Sequence, residues 1–132
     1  MPEHRNKSMT LDKVKEVIEV AQMRGTEAAA AKYAQMCRKD RRRASLRGLC
    51  GGAHIMIKLD GRTRLARQLK LASQQIDDLS FNATYENRTR TVHIFGMHNR
   101  QEREVDVAAS EAALAVLKRE FDVVGYVEAY YT

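Results

Sequence analysis

The sequence predicts an α+β protein, because helical and strand spacings occupy different parts of the chain. Apolar side chains recur every three or four residues in several stretches before residue 77, whereas apolar and polar side chains alternate from residue 79. A further amphipathic stretch and an apolar run close the chain. Its 132 residues are 44% hydrophobic and 30% charged, which is the composition of a folded protein rather than of a disordered polycation.

The chain divides into a polar tail (residues 1–9), a basic helical part (10–50) and an α+β domain (51–132). Three glycines between residues 48 and 52 are predicted to form a flexible joint at the boundary. One compact unit of the last two parts is the alternative, since a chain of this length is short for two separate cores.

The basic part is predicted to be helical. Thr10 is placed to cap a first helix, and Gly25 to end it. Thr26 then begins a second helix that contains four consecutive alanines. The apolar stripe of the first helix is formed by Leu11, Val14, Ile18 and Ala21.

Two courses are open for the chain after Tyr33. If the helix continues to Gly48, residues 38–47 project on it as a basic arm. If the chain turns near residues 34–36 and restarts, three short helices result. That arrangement resembles a helix-turn-helix over residues 11–49, which implies DNA binding through a basic third helix.

The charge is uneven along the chain. Residues 1–70 carry 17 Lys/Arg against 7 Asp/Glu, a net +10, and residues 71–132 carry 6 against 10, a net −4. Residues 38–47, RKDRRRASLR, hold six basic side chains and one acid. Guanidinium groups pair bidentately with phosphate, so this surface is typical of proteins that contact a polyanion. The predicted nucleic-acid contacts are Arg38, Lys39, Arg41, Arg42, Arg43 and Arg47, with Arg62, Arg64 and Arg67 on the next helix.

We therefore expect a small, non-enzymatic, regulatory protein that binds DNA or RNA. The alternative is an effector or inhibitor that docks the same arginines on an acidic protein surface. No apolar run approaches the length of a membrane span, and Cys37 and Cys50 lack a CxxC spacing. Both observations favour a cytoplasmic protein with reduced thiols and no membrane partner.

The α+β domain is predicted to hold a helix, a three-strand meander, a helix and a last strand. Residues 54–59 fit either a short strand or the start of a helix. The helix covers about residues 61–77, the last helix is capped by Ser110, and all helices pack on one face of the sheet. The predicted strands are residues 79–86, 90–95, 103–107 and 123–131. This helix, three strands and helix resemble the order of a double-stranded-RNA-binding domain, which implies RNA binding.

The acids and histidines do not form a spacing that metal or proton-transfer chemistry requires, so no catalytic residue, metal or cofactor is predicted. A small metal-dependent nuclease is the second alternative. Its ligands would come from Asp77, Asp78, Glu86, Glu104 and Asp106, and a metal hypothesis adds His54, His93, His98 and Glu102.

The C-terminal end is rich in tyrosine. Tyr126, Tyr130 and Tyr131 offer rings for base stacking, but the negative charge around them favours packing in the core or against a protein. An exposed last strand would allow a homodimer.

Overall fold

The computed structural model describes residues 9–39, 50–84 and 88–132. These ranges contain three helices and a four-stranded antiparallel sheet, so the α+β prediction is confirmed. No helix within them is long and apolar enough to cross a membrane. In chain order the elements are α1 (Leu11–Lys39), β1 (Gly51–Lys58), α2 (Arg64–Gln75), β2 (Leu79–Ala83), β3 (Thr89–Ile94), α3 (Arg103–Phe121) and β4 (Val124–Tyr131).

The strand order is β2-β3-β1-β4, with every neighbouring pair antiparallel. The two strands joined by α2 are not neighbours, because β3 lies between them. The two strands joined by α3 are likewise separated by β1. From β1 onward the chain therefore has the β-α-β-β-α-β order of a split β-α-β, or ferredoxin-like, domain.

One face of the sheet meets the helices. Ile55 and Ile57 of β1 and Val92 of β3 are buried in one apolar cluster with Leu117 and Phe121 of α3. The helix α1 packs chiefly on α3 and contributes a buried stripe to this core. Because side chains alternate along a strand, the intervening residues point to the other face, which we call the open face. It carries His54, Met56, Thr91, His93, Tyr126, Glu128 and Tyr130.

The predicted helix end at Gly25 is wrong, because α1 continues through this residue without a break. A Cβ at Gly25 would overlap the sulfur of Met97 and lie 3.1 Å from the carbonyl oxygen of Ala109. The glycine therefore permits close packing instead of ending the helix. Thr26 does not cap a second helix, since its hydroxyl donates to the Gln22 carbonyl 2.9 Å away, inside α1.

The cap at Thr10 is confirmed, with its hydroxyl oxygen accepting the Lys13 N–H at 3.2 Å. The predicted turn near residues 34–36 is wrong, because α1 runs straight through to Lys39. The helix-turn-helix resemblance loses both of its turns with this finding. Residues 40–49 lie outside the described ranges, so the rest of the basic arm stays a prediction.

Gly51 and Gly52 are strand residues of β1 rather than a flexible joint. They pair with Tyr131 and Tyr130 of β4. Residues 54–59, left open between strand and helix, lie mainly in this strand. One apolar cluster includes α1 as well as the sheet.

The predicted strand at residues 103–107 is wrong, because it forms the first turns of α3. Ser110 is buried within that helix and does not cap it. The actual N-cap, Glu102, makes no side-chain capping hydrogen bond, so the sequence carries no start signal there. The meander shrinks to the hairpin of β2 and β3, and the resemblance to a double-stranded-RNA-binding domain is lost. The turn predicted after residue 86 lies partly outside the described ranges.

Candidate nucleic-acid interface

The predicted basic contacts are distributed over separate parts of the molecule. Arg38 is exposed in the last turn of α1, which ends at Lys39. Arg64 and Arg67 are exposed on α2, in the helical layer and not on the open face. Arg62 lies before α2, 3.3 Å from the Asp60 carboxylate, which raises the pKa of Arg62 and lowers that of Asp60. The remaining four, Arg41, Arg42, Arg43 and Arg47, lie outside the described residues.

Described residues on both sides of 40–49 contact the same pair, Arg100 and Glu102. On the α1 side, the Arg100 guanidinium lies 3.9 Å from the centre of the Tyr33 ring. On the β1 side, Cys50 forms an isolated bridge with Glu102. Arg100 and Glu102 are joined by a 2.6 Å salt bridge, whose hydrogen bonds raise the pKa of Arg100 and lower that of Glu102. Tyr33, in the last third of α1, and Cys50, just before β1, thus each contact one member of the Arg100–Glu102 pair.

Four aromatic rings form a row across the open face. Tyr130 lies beside His54, with ring centroids 4.9 Å apart and an interplanar angle of 24°. His54 lies beside His93, and Phe95 meets His93 edge-on at 5.8 Å. Tyr130 and Phe95, at the two ends, are 41% and 49% exposed, so the row is accessible to a ligand.

The two imidazoles lie side by side and not face to face. Their centroids are 4.7 Å apart with an interplanar angle of 11°, and the Nδ1 of His54 is 2.6 Å from the Nε2 of His93. Because the two ring planes are nearly parallel, the distance between them cannot be much larger than the 2.6 Å between the nearest nitrogens. Stacked rings lie roughly 3.5 Å apart, so these two rings are not stacked. The two rings are therefore joined edge to edge by an N–H···N hydrogen bond.

The strand register explains this row. Ile55 is paired with Val92 in the core layer, so the adjacent residues His54 and His93 meet on the open face. Tyr130 is paired with Gly52, where a Cβ would overlap its hydroxyl. The glycine leaves room for the tyrosine ring to lie across β1 toward His54.

Asp106 of α3 lies beyond these histidines, where β1 and β3 are no longer paired. One carboxylate oxygen accepts the Ala53 N–H at 2.7 Å, and the other lies 2.8 Å from the Nε2 of His98. Burial lowers the pKa of His93, and the charge of His54 lowers it further, while Asp106 opposes the shift. His93 is consequently a neutral imidazole at neutral pH.

The acids of the metal hypothesis do not gather around the histidines. Glu102 is engaged by Arg100, and Glu104 lies 3.9 Å from Lys32 on the α1 side. Within the described ranges, no group of three or more His, Cys, Asp or Glu side chains could hold a metal ion. Asp77 and Asp78 are exposed after α2, and Glu86 lies outside the described ranges.

A groove continues from the row along the open face. Its volume is about 680 Å³. Lys58 of β1 follows it on the same face, and Arg88 contributes a carbonyl that accepts the Leu59 N–H at 2.7 Å. Lys58 and Arg88 are exposed, so this end of the sheet is positively charged. The groove is lined by His54, Met56, Ala83, Thr84, Thr89, Thr91, Tyr126 and Glu128.

The sequence favoured packing of the C-terminal tyrosines either in the core or against a protein. In the structure, Tyr126, Tyr130 and Tyr131 are exposed, so packing in the core is wrong. Tyr126 and Tyr130 are 43% and 41% exposed on the open face, and Tyr131 is 62% exposed beneath the Arg103 guanidinium at 4.5 Å. Sequence reasoning also missed His54 and His93 as a pair. His93 lay in a predicted strand, but residues 54–59 were left open between strand and helix, so neither the pairing of the two segments nor its register was available.

Comparisons with family models, curated proteins and solved structures yield no match to this chain.

Proposed function

We propose that the protein binds single-stranded nucleic acid on the open face, with residues 38–47 holding the phosphates. The observation that carries this proposal is the row from Tyr130 through His54 and His93 to Phe95, whose two end rings are exposed. Aromatic side chains on an accessible sheet face stack on unpaired bases, at about 1–3 kcal/mol per base. A duplex hides the faces of its bases, so such a row favours a single strand.

The charge distribution supports the same occupant. The Arg-rich segment precedes Cys50 in the sequence, and Cys50 is followed by the two glycines that are paired with Tyr131 and Tyr130. Lys58 and Arg88 lie toward the other end of the groove. A strand that runs along the face would therefore meet Lys58 and Arg88 at one end and the rings at the other, and the proposal assigns its remaining phosphates to residues 38–47. Glu128 is the acid among the groove residues and is paired with His54, so the proposal requires the phosphates to lie away from it.

The other predicted properties are part of this proposal. Free Cys37 and Cys50 fit a reducing, cytoplasmic setting. The strand β4 is an edge of the sheet, so its backbone is placed to pair with a second copy. Docking of the arginines on an acidic protein is the alternative, and it would make no use of Tyr130.

Fluorescence anisotropy with a labelled single-stranded oligonucleotide tests the proposal. Tyr130→Ala should weaken binding by about tenfold, which is about 1.4 kcal/mol. Tyr131→Ala is the matched control, because that ring lies against Arg103 and should leave affinity unchanged. Equal affinities of wild type and Tyr130→Ala, or binding to duplex DNA alone, would contradict the proposal.

A salt titration distinguishes binding through phosphate contacts from binding that does not involve phosphates. The log of affinity should fall linearly with the log of salt concentration, by about 0.7 for each phosphate that a single strand engages. Replacing Arg41, Arg42 and Arg43 by Ala should flatten the slope by about 2. A salt-independent affinity would favour the protein-docking alternative.

A further inference from the structure

We infer that two copies of this chain pair through β4 in one defined antiparallel register and form a continuous eight-stranded sheet. The strand β4 lies at the end of the four-stranded order and, among the described strands, pairs only with β1. It contains no proline, lysine or arginine, and its pairing with β1 is uninterrupted. Natural edges are usually protected by such residues, by bulges or by short length, as in the five-residue β2 at the other edge. The eight-residue edge of β4 has none of these protections.

The backbone of β4 has hydrogen-bonding groups that point away from the sheet. Thr132 donates its N–H to the Cys50 carbonyl at 3.1 Å, which places the Thr132–Cys50 pair among those that exchange hydrogen bonds between β4 and β1. Such pairs alternate along an antiparallel ladder, so the even-numbered residues of β4 turn their N–H and C=O groups toward β1. A second strand must therefore pair with the odd-numbered residues, whose groups point outward. These are Gly125, Val127, Ala129 and Tyr131.

The side chains of β4 form an exposed apolar surface along the same edge. In the described ranges, seven large apolar or aromatic side chains are exposed, and β4 supplies four of them. They are Val124, Tyr126, Tyr130 and Tyr131. The first three lie on the open face together with Glu128, which carries the one charge of the strand. A neighbouring strand would cover this surface through cross-strand pairs.

The charge of Glu128 selects both the occupant and its register. A two-fold axis pairs residue i with residue j and residue j with residue i. Two registers keep the outward-pointing residues together and overlap all but one residue of β4, and they are centred on Glu128 and on Val127. The first places two carboxylates directly opposite each other, which is destabilising. The second places Glu128 opposite the uncharged Tyr126 of the other copy, and Val124 opposite Tyr130. An aromatic ring opposite a β-branched side chain is a favourable pair, so β4 is complementary to itself in this register.

This register joins the two open faces. Residues directly opposite each other point to the same side of a sheet, so both aromatic rows lie on one surface of the dimer. Tyr130 is opposite Val124, which places the two Tyr130 rings about 20 Å apart along the strands. One nucleic-acid strand of sufficient length would contact both rows. That consequence rests on the proposed function, whereas the pairing of the two copies does not.

Sedimentation equilibrium of the full chain, in reducing agent and without nucleic acid, tests the pairing. We expect twice the 15.0 kDa mass of one chain. Tyr126→Glu places an acid opposite Glu128 at two symmetric positions, whereas Tyr126→Lys removes the same ring and places a base there. The dimer of Tyr126→Lys should be at least about tenfold tighter than that of Tyr126→Glu. Equal dissociation constants would overturn the register and with it the inference.

Ala129→Pro tests the edge without a change in charge. Its N–H points outward, and proline is tolerated on an edge strand at such a position. We expect a monomer with the circular dichroism spectrum of wild type, and a dimeric Ala129→Pro would overturn the inference. Wild type that is monomeric yet binds a single strand overturns the inference and leaves the proposed function intact. A wild-type dimer that shows the expected difference between the Tyr126 variants but binds no single strand supports the pairing and contradicts the proposed function.

Discussion

The imidazole of His93 experiences two influences that oppose a positive charge and one that favours it. Burial lowers its pKa most, the adjacent His54 lowers it further, and Asp106 acts in the opposite direction. Protonation of both rings would also remove the lone pair that accepts the hydrogen bond of the pair. Protonation of this one residue in acid should therefore perturb the open face.

The stability of the protein should depend on pH through this residue. The unfolded chain takes up a proton near the ordinary histidine pKa of 6.5, whereas the folded chain does so at a lower pH. The free energy of unfolding should thus fall as pH decreases through that window and then level off. Urea unfolding at about pH 7.5 and about pH 5.5 should show a larger loss for wild type than for His93→Gln. Equal losses in the two proteins would contradict the burial of a neutral His93.

At the scale of elements, predictions succeeded where a local signal exists. The helix α2 has an apolar stripe and a Thr63 hydroxyl that accepts the Ala66 N–H, and β3 alternates buried and less buried residues. Prediction failed at Gly25, where the close approach of Met97 and Ala109 overrides the usual meaning of a glycine. Such a contact joins distant parts of the chain, and no window of sequence contains it.

Gly25→Ala tests the packing of α1 on α3. On helix propensity alone the substitution would stabilise the protein by about 1 kcal/mol. The added Cβ overlaps the Met97 sulfur and crowds a backbone carbonyl, so we expect a net loss of about 1–3 kcal/mol in urea unfolding. Ala30→Gly, at an exposed position of the same helix, should lose only about 1 kcal/mol through propensity. A more stable Gly25→Ala would contradict the close approach of the two helices.

The candidate site, too, depends on contacts between residues that are distant in sequence. The excess of arginine in residues 38–47 is visible in the sequence, and it gave the prediction of nucleic-acid binding. The His54–His93 pair spans 39 positions and depends on the register of β1 against β3. Strand register is set by the buried layer and by topology, so it could not be predicted from either strand alone.

At the scale of the molecule, α1 is part of the core. Val14 and Ala21 are fully buried in the apolar cluster, and Val17 and Ile18 nearly so. Their removal would expose the outer surfaces of α2 and α3.

A fragment of residues 50–132 tests that division. Because it lacks the buried stripe of α1, we expect a broad, non-cooperative thermal transition by circular dichroism, in contrast to the full chain. The full chain with Glu16→Ala, an exposed substitution in α1, should melt cooperatively as a control. A sharp transition of the fragment near that of the full chain would show that 51–132 is an independent domain.

The central claim, that a single strand lies on the open face, is tested most directly by nuclear magnetic resonance of the full chain during titration with a short single-stranded RNA. The account predicts saturable shifts at the His54 and His93 imidazoles and at the Tyr126 and Tyr130 rings. Arg64 and Arg67, on the exposed side of α2, should shift little. Saturable shifts confined to α2, with the rings of His54, His93, Tyr126 and Tyr130 unchanged, would contradict it.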